Sequence, residues 1–351
     1  MLISMLAPRT TNTASYVTSR QPTKLSELRV VALGGGTGLP AVLRSLKDRL
    51  FPPHSCSVTD RSRERLTAIV TVTDDGGSSG RLRKDFDILP PGDIRNCLSA
   101  LSEGGALSFD LFQYRFDKGQ GLSGHSLGNL LLAALTHLRG NFLEAVQCCG
   151  DIMNVKGRIL PCTSENVSLG ARFRDGLVIK GETFIAGHRG RIENVFLIPS
   201  NPAPLPQTIG AIEKADAIII GPGSLYTSII PSLLAEGMPE AIRRSRARKI
   251  YICNQMTEPG ETDGYTAADH IRAIYEHTEY GLFQYVLLHK GRIPRRLVDT
   301  YRKKGSHPVK QNMKELRQLG ITSVVADLVS TQGGRIRHDE GKLGRLLSEL
   351  L

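Results

Sequence analysis

The chain has 351 residues, of which 40% are hydrophobic and 23% are charged, with 36 glycines, 18 prolines and no tryptophan. This composition is typical of a globular protein and excludes the collagen-like and disordered classes. No apolar stretch approaches the roughly 20 residues that a membrane-spanning helix requires, so we expect no membrane segment. At about 150 residues per domain, the length allows two domains or one large α/β unit.

Lysine and arginine exceed aspartate and glutamate by 11, and this excess favours anionic ligands such as phosphates, nucleic acid or a membrane surface. The basic residues concentrate late in the chain, at 243–249, 292–304 and 335–345. No RNA-binding or zinc-finger motif accompanies them. We therefore interpret them as solvated surfaces, and nucleic-acid binding is the weakest of the functional hypotheses.

The six cysteines form no CxxC pair, and a chain of this size needs no disulfide to fold. We interpret them as reduced thiols in a cytoplasmic protein.

Residues 1–28 lack the features of a signal peptide and are predicted to be a flexible extension. Residues 29–351 are predicted to form a single α/β domain, in which the segment 51–65 is a surface loop.

Short runs rich in β-branched residues alternate with helical stretches along this domain. The runs are continuously apolar, which is typical of strands buried on both faces of a parallel sheet. The sequence therefore predicts a doubly wound, Rossmann-like α/β fold with a mostly parallel sheet. Between about 155 and 197, shorter pieces separated by glycines predict an inserted antiparallel β segment. The predicted strands of the main sheet are 29–33, 66–72, 215–220, 249–253 and 284–288.

Four of these strands are followed by loops rich in glycine, hydroxyl, carboxylate or amide groups. The carboxyl ends of parallel strands meet at one edge of the sheet, where ligands of such folds bind. We therefore expect the four loops to gather into one polar cleft. They cover residues 34–38, 74–79, 221–227 and 254–260.

Two of the loops have the character of phosphate sites, because each leaves a strand and opens a helix with glycines that expose backbone N–H groups. The first matches neither the dinucleotide fingerprint nor the P-loop, and a tight structural turn is its alternative. Two such loops suit a nucleotide diphosphate conjugate. Their candidate ligand residues are Gly34, Gly35, Gly36, Thr37 and Gly38 in the first loop, Gly221, Gly223, Ser224, Tyr226 and Thr227 in the second, and Asn254 in the next.

Two adjacent acids, Asp74 and Asp75, follow the second predicted strand beside the first phosphate loop. Carboxylate oxygens are the ligands that Mg²⁺ prefers, so this pair is a candidate metal site, with a capped turn of two solvated acids as the alternative. Ser78, Ser79 and Arg81 follow closely and are candidate phosphate ligands. We expect no covalent cofactor.

Two further motifs open predicted helices. In the first, Asp93 is predicted to cap a helix over 94–102, and Asp93 and Asn96 in the first turn are candidate ligand residues. The second, 124–128, reads G-x-S-x-G with Ser126 in the nucleophile position, but a polar loop precedes it where the esterase elbow requires a strand. We therefore favour His125, Ser126 and Asn129 as polar groups at a helix N-terminus facing a ligand, with a structural His125 as the alternative.

The chain resembles the YvcK/CofD-like family in six ordered blocks, from about residue 29 to the end. The blocks are GGGTGLPAVLRSLK, LTAIVTVTDDGGSSGRLR, LPPGDIRNCLSALS, LSGHSLGNLLLAALT, ADAIIIGPGSLYTSIIPSLL and KIYICNQMTEPGETDGYTAADHI. The family holds the bacterial gluconeogenesis factor and the 2-phospho-L-lactate transferase. Because the acid pair continues into Gly-Gly-Ser-Ser, the chain is most similar to the gluconeogenesis-factor branch.

This resemblance implies a cytoplasmic protein that binds a nucleotide sugar, UDP-N-acetylglucosamine, and is needed for cell shape and envelope growth on gluconeogenic carbon sources. It also draws attention to Tyr301 and Arg337 as nucleotide-sugar contacts. Protein partners in envelope synthesis and a homo-oligomer are further expectations. The alternative that the family offers is an Mg²⁺-dependent transferase with a nucleotide diphosphate-activated donor, whose metal ligand would correspond to Asp74 or Asp75.

Overall fold

The computed structural model describes residues 25–52 and 60–351. Its strands form a seven-stranded sheet, a three-stranded sheet and a two-stranded ribbon. In chain order the strands are β1 (Val30–Gly34), β2 (Leu66–Val70), β3 (Arg158–Pro161), β4 (Ser168–Phe173), β5 (Val178–Lys180), β6 (Ile192–Ile198), β7 (Ala217–Ile220), β8 (Arg248–Ile252), β9 (Tyr285–His289), β10 (Thr322–Ala326), β11 (Val329–Ser330) and β12 (Arg337–His338).

Fourteen α-helices connect and cover the strands within the described ranges. They are α1 (Gly38–Leu50), α2 (Asp60–Arg63), α3 (Gly77–Phe86), α4 (Pro91–Leu101), α5 (Ala106–Gln113), α6 (Leu127–Arg139), α7 (Phe142–Ile152), α8 (Glu182–Gly187), α9 (Pro206–Glu213), α10 (Met238–Arg244), α11 (Ala267–His277), α12 (Arg295–Arg302), α13 (Met313–Gln318) and α14 (Glu340–Leu350).

The main sheet is parallel throughout, in the order β10-β9-β8-β7-β1-β2-β3. Every residue of β1, β2 and β7 is buried, which explains why their sequences are continuously apolar. The doubly wound α/β fold and all five predicted strands are confirmed. The two strands that were not predicted, β3 and β10, are the edge strands.

The inserted antiparallel segment is also confirmed, as the sheet β5-β4-β6. Its strands run from Ser168 to Ile198, so the segment begins later than predicted. The predicted range includes β3, which instead pairs in parallel with β2 in the main sheet. The short sequence Arg158–Pro161 contains an arginine and a proline, so it does not read as a buried strand.

The order of the main sheet creates a switch point between β1 and β7. From β1 the chain adds β2 and β3 on one side, whereas β7 to β10 extend the sheet on the other. Connections therefore leave the two central strands in opposite directions, and a crevice opens beyond their carboxyl ends. Both predicted phosphate loops begin at this crevice, because one follows β1 and the other follows β7.

Residues 1–24 and 53–59 lie outside the described residues. Of the predicted extension, Leu25–Glu27 form a 3₁₀ turn and Leu28 is buried. Within the predicted 51–65 loop, Phe51 is buried and α2 occupies 60–63. Five cysteines are described and all are free thiols, and no helix in the described ranges is long and apolar enough to span a membrane.

Candidate functional site

A cleft of about 590 Å³ opens beyond the carboxyl ends of β1 and β7, at the switch point. Residues from the two predicted phosphate loops line it, together with residues after β8 and near the C-terminus. The structure therefore brings together eight of the predicted ligand residues. These are Gly36, Thr37, Gly38, Gly223, Ser224, Asn254, Tyr301 and Arg337.

The two loops approach so closely that only glycine fits at Gly38. A Cβ atom at this position would lie 2.0 Å from the carbonyl oxygen of Pro222. Asn254 fixes the second loop, because its Oδ1 accepts a hydrogen bond from the Gly223 N–H at 3.1 Å and its Nδ2 donates to the Gly223 carbonyl at 2.8 Å. The loops are therefore held in place before any ligand arrives.

The first loop ends at the N-terminus of α1, with Thr37 in the cap position and no side chain bonded to the free N–H groups there. Unpaired N–H groups and the positive end of the helix dipole attract anions. Glu258 also lines the cleft, where the Ser224 hydroxyl hydrogen-bonds its side chain, and burial raises the pKa of the Glu258 carboxyl. The cleft thus combines N–H donors for an anion with a carboxyl that can accept hydroxyl hydrogen bonds.

Tyr301 and Arg337 come from distant parts of the chain to the same cleft. The Tyr301 hydroxyl accepts a hydrogen bond from the Ile336 N–H at 3.0 Å, so it positions the backbone directly before exposed Arg337. Arg44 of α1 forms a 2.7 Å ion pair with Glu340 of α14, and both residues line the cleft. Hence Arg337 has a free guanidinium among the described residues, whereas Arg44 is paired with Glu340.

Behind the first loop lies a group of carboxyls from three elements. Asp93 accepts a hydrogen bond from the Gly36 N–H at 2.7 Å, and Thr73 donates to Glu182 at 3.3 Å. Burial, with a contribution from Asp74, raises the pKa of Asp93 to about 6. Burial and the same neighbour raise the pKa of Glu182 to about 9, so Glu182 is protonated at neutral pH.

The prediction that Asp93 caps a helix is wrong. The helix begins earlier, at Pro91, and its residue before the first turn is Pro90. Proline suits the first helical turn because the N–H that it lacks would have no partner within the helix there. The helix therefore begins at Pro91 and not at residue 94. Asp93 therefore lies within the first turn and directs its carboxylate at the phosphate loop.

The two candidate metal ligands are engaged in local hydrogen bonds. Asp74 accepts from the Gly76 N–H at 2.9 Å, and Asp75 accepts from both the N–H and the hydroxyl of Thr183. In the described residues, no group of three or more His, Cys, Asp or Glu side chains is arranged to hold a metal ion. The arrangement does not fit a ready-made metal site, so we derive no step through Mg²⁺, and its binding stays a prediction.

Ser78, His125 and Asn129 form a separate buried cluster. The Ser78 Oγ lies 2.9 Å from Nδ1 of His125 and accepts a hydrogen bond from Nδ2 of Asn129 at 3.0 Å. Ser126 caps α6, because its Oγ accepts from the Asn129 N–H, and it is fully buried. Burial also lowers the pKa of His125. Ser126 is therefore a helix cap, and in the described part of the chain no hydrogen bond joins its Oγ to a general base, since His125 Nδ1 contacts Ser78 instead. This is not the geometry of an esterase nucleophile.

The remaining predicted residues lie outside the cleft lining. Tyr226 and Thr227 are buried in a π-helical turn, where Glu261 accepts hydrogen bonds from both. Arg81 donates to the Ser123 carbonyl, and Asn96 accepts from Arg95. Gly34 is the last residue of β1, Gly35 and Gly221 lie in the two loops, and Ser79 is buried beside Gly92.

The sequence analysis missed several residues of the cleft and of the cluster of carboxyl side chains behind it. Glu182, Arg44, Glu340 and His338 reach the site from elements that are far apart in sequence, and none belongs to a glycine-rich loop. Glu258 could have been predicted, because it is an acid within the predicted 254–260 cleft loop and a carboxylate there can accept hydrogen bonds from ligand hydroxyls.

Comparison with known proteins places this geometry in a family. Residues 30–329 match the family model described as 2-phospho-L-lactate transferase CofD. The chain belongs to the CofD family. It is 46% identical to the gluconeogenesis factor of Bacillus subtilis, over 92% of this chain and 98% of that protein. It is 45% identical to the gluconeogenesis factor of Halalkalibacterium halodurans, over 93% of this chain and 97% of that one.

The fold of this CofD-family chain is also similar to a solved structure. A UPF0052-family protein from Bacillus halodurans superposes with a TM-score of 0.84 at 46% identity, covering 90% of this chain and 98% of the other. The match includes both glycine loops of the cleft, since they lie within residues 30–329 of the family model. The predicted resemblance to the YvcK/CofD-like family is therefore confirmed.

Proposed function

We propose that this protein binds a UDP sugar, of the UDP-N-acetylglucosamine type, in the switch-point cleft. In this role it is a cytoplasmic gluconeogenesis factor that reports nucleotide-sugar supply to cell-envelope synthesis, and it supports cell shape on gluconeogenic carbon sources. The observation that carries the proposal is the meeting of two glycine loops at one cleft that Tyr301 and Arg337 also line.

The chemistry of the cleft suits such a ligand. The N–H groups at the start of α1 can hold one phosphate, and the Ser224 N–H, next to the Gly223 N–H that Asn254 already binds, can hold the next. Arg337 supplies a cation for the diphosphate. The Glu258 carboxyl and the Ser224 hydroxyl can bond sugar or ribose hydroxyls. The Bacillus subtilis and Halalkalibacterium halodurans relatives, at 46% and 45% identity, are named gluconeogenesis factor, which supports the same role.

Isothermal titration of the full chain with UDP-N-acetylglucosamine, GDP and NAD tests the proposal. We expect saturable binding of the UDP sugar in preference to the other two. Arg337→Ala should weaken it about tenfold or more, since a charge-assisted hydrogen bond contributes about 1.5–3 kcal/mol. The control is Arg246→Ala, an exposed arginine after α10. Absence of binding at millimolar UDP sugar would overturn the proposal.

A second candidate is a transferase that uses a nucleotide diphosphate-activated donor. The matching family model carries the name of such an enzyme. In addition, a cluster of three carboxyl side chains, those of Asp74, Asp93 and Glu182, lies behind the phosphate loop. If the chain is this enzyme, it will release GMP from a guanosine diphosphate-activated lactyl donor when a deazaflavin acceptor and Mg²⁺ are supplied. No GMP release under those conditions would remove this candidate.

A further inference from the structure

A larger cavity of about 900 Å³ lies beside the cleft, beyond the carboxyl ends of β8 and β9. We call it the arginine cavity. Its volume lies within the range of small-molecule sites, and it lies at the same carboxyl edge of the sheet as the switch-point cleft. It is lined by Cys253, Asn254, Gln255, Leu288, His289, Gly291, Arg292, Ile293, Arg295, Val298, Arg302, Pro308, Val309 and Gln311.

The charge of these walls is one-sided. Arg292, Arg295 and Arg302 line the arginine cavity, and no aspartate or glutamate does so among the described residues. Arg302 has Asp299 at 3.5 Å, but both side chains are about half exposed, so water screens this pair. Arg292 and Arg295 have no ion pair in the described part of the chain. The cavity therefore holds a positive potential that an anion would neutralise.

The rest of the lining combines an apolar part with polar side chains. Aliphatic side chains and a proline form the apolar part, and the polar side chains are those of Asn254, Gln255, His289 and Gln311. Such a surface favours a ligand with an apolar or aromatic body and one anionic group. Guanidinium groups match phosphate oxygens in two parallel hydrogen bonds. The apolar residues are Leu288, Ile293, Val298, Pro308 and Val309.

Helix α12 separates the arginine cavity from the cleft. Arg295, Val298 and Arg302 are spaced i, i+3 and i+7, so one face of the helix lines the arginine cavity. Tyr301 of the same helix lines the cleft. Asn254 and Gln255 line both, so the two spaces are neighbours with different chemistry: backbone N–H donors in the cleft and guanidinium groups in the arginine cavity.

We propose that the arginine cavity is a second ligand site, which binds a small organic phosphate with an apolar or aromatic body. This goes beyond the proposed function, which uses the cleft alone. Phenyl phosphate is a suitable probe, because it combines the aromatic body with the anion. Inorganic phosphate and phenol each supply one of the two parts.

The test is calorimetric titration of the full chain with the three probes. We expect saturable, one-to-one binding of phenyl phosphate, with inorganic phosphate at least tenfold weaker and phenol weaker still. The double substitution Arg295→Gln, Arg302→Gln should reduce the affinity for phenyl phosphate at least tenfold. Both arginines are exposed, so their loss should not disturb folding, and exposed Arg246→Gln is the matched control.

A second series distinguishes the two sites. Phenyl phosphate should bind equally well to Arg337→Ala and to protein saturated with UDP-N-acetylglucosamine. Displacement of the probe by the UDP sugar, or unchanged binding in the double arginine variant, would overturn the proposal, because the probe would then occupy the cleft or a non-specific surface. If the UDP sugar itself does not bind, the proposed function fails, yet the titration of the arginine variants still decides this inference.

Discussion

The Asp93 carboxylate accepts a hydrogen bond from the Gly36 N–H at 2.7 Å, across 57 residues of sequence. This contact joins the first turn of α4 to the loop that lines the cleft. It also makes the loop sensitive to the protonation state of a buried acid, because burial raises the pKa of Asp93 from 3.8 to about 6.

The first prediction concerns stability against pH. The native state binds the Asp93 proton more tightly than the unfolded state, so the stability this group contributes is complete below about pH 4 and is lost as the pH rises through 6. Asp93→Asn keeps an acceptor oxygen and removes the charge. We expect its stability relative to the parent to rise by about 1–3 kcal/mol between pH 4 and 7.5, at about 1.36 kcal/mol per pKa unit.

Urea unfolding at the two pH values measures this change. Exposed Asp110→Asn is the control and should show no such pH-dependent gain. A stability difference for Asp93→Asn that stays constant from pH 4 to 7.5 would contradict the prediction.

The second prediction concerns the contact between the two glycine loops. Gly38→Ala places a methyl group 2.0 Å from the Pro222 carbonyl oxygen, so one loop must move. We expect loss of UDP-sugar binding and a destabilisation of about 2 kcal/mol or more, as for other overpacked sites. In contrast, Gly210→Ala lies in α9 with open space around it and should stabilise the protein by up to about 1 kcal/mol. Denaturant titration compares the pair, and equal stabilities would refute the steric explanation.

The third prediction concerns Asn254, which bonds both backbone groups of Gly223. Asn254→Ala removes two hydrogen bonds, each contributing about 0.5–1.5 kcal/mol. The second loop should then lose its fixed position, and the affinity for the UDP sugar should fall about tenfold. Exposed Gln318→Ala serves as the control in the same calorimetric titration. Unaltered affinity in Asn254→Ala would mean that the loop is fixed by other contacts.

The fourth prediction separates a helix cap from a nucleophile at Ser126. Its Oγ accepts the Asn129 N–H and is fully buried, so Ser126→Ala should cost about 1 kcal/mol of stability. Any hydrolysis of p-nitrophenyl esters should be the same before and after the substitution. A hydrolytic rate that disappears with the Ser126 hydroxyl would restore the esterase hypothesis.

Much of the fold could be predicted from the sequence, because strands buried on both faces have continuously apolar sequences. β1, β2 and β7 are of this kind. The edge strands gave a weaker signal: β3 contains an arginine and a proline, and every residue of β10 is at least partly exposed. Period and composition identify a strand by a continuous apolar run, so they fail for β3, which is mostly buried but includes an arginine and a proline, and for β10, which is partly exposed throughout.

The candidate site was predictable where it depends on local sequence. The glycine loops could be located because strand, glycines and helix follow one another directly. Tyr301 and Arg337 entered only through family resemblance, since no local pattern marks them. Tyr226 and Thr227 were placed in the cleft because they follow its glycines, but a π-helical turn directs them into the core. Side-chain direction in such a turn depends on packing that sequence spacing does not contain.

The cleft joins residues that are almost the whole chain apart, as the Arg44–Glu340 ion pair shows with a separation of 296 positions. No half of the polypeptide can therefore supply a competent binding surface. Non-local assembly of this kind slows folding, because distant segments must meet before their contacts stabilise them. A ligand held there binds only the completely folded state and shifts the global unfolding equilibrium. The fraction of molecules that bind the ligand therefore measures the completely folded population, and the remainder measures partly folded species.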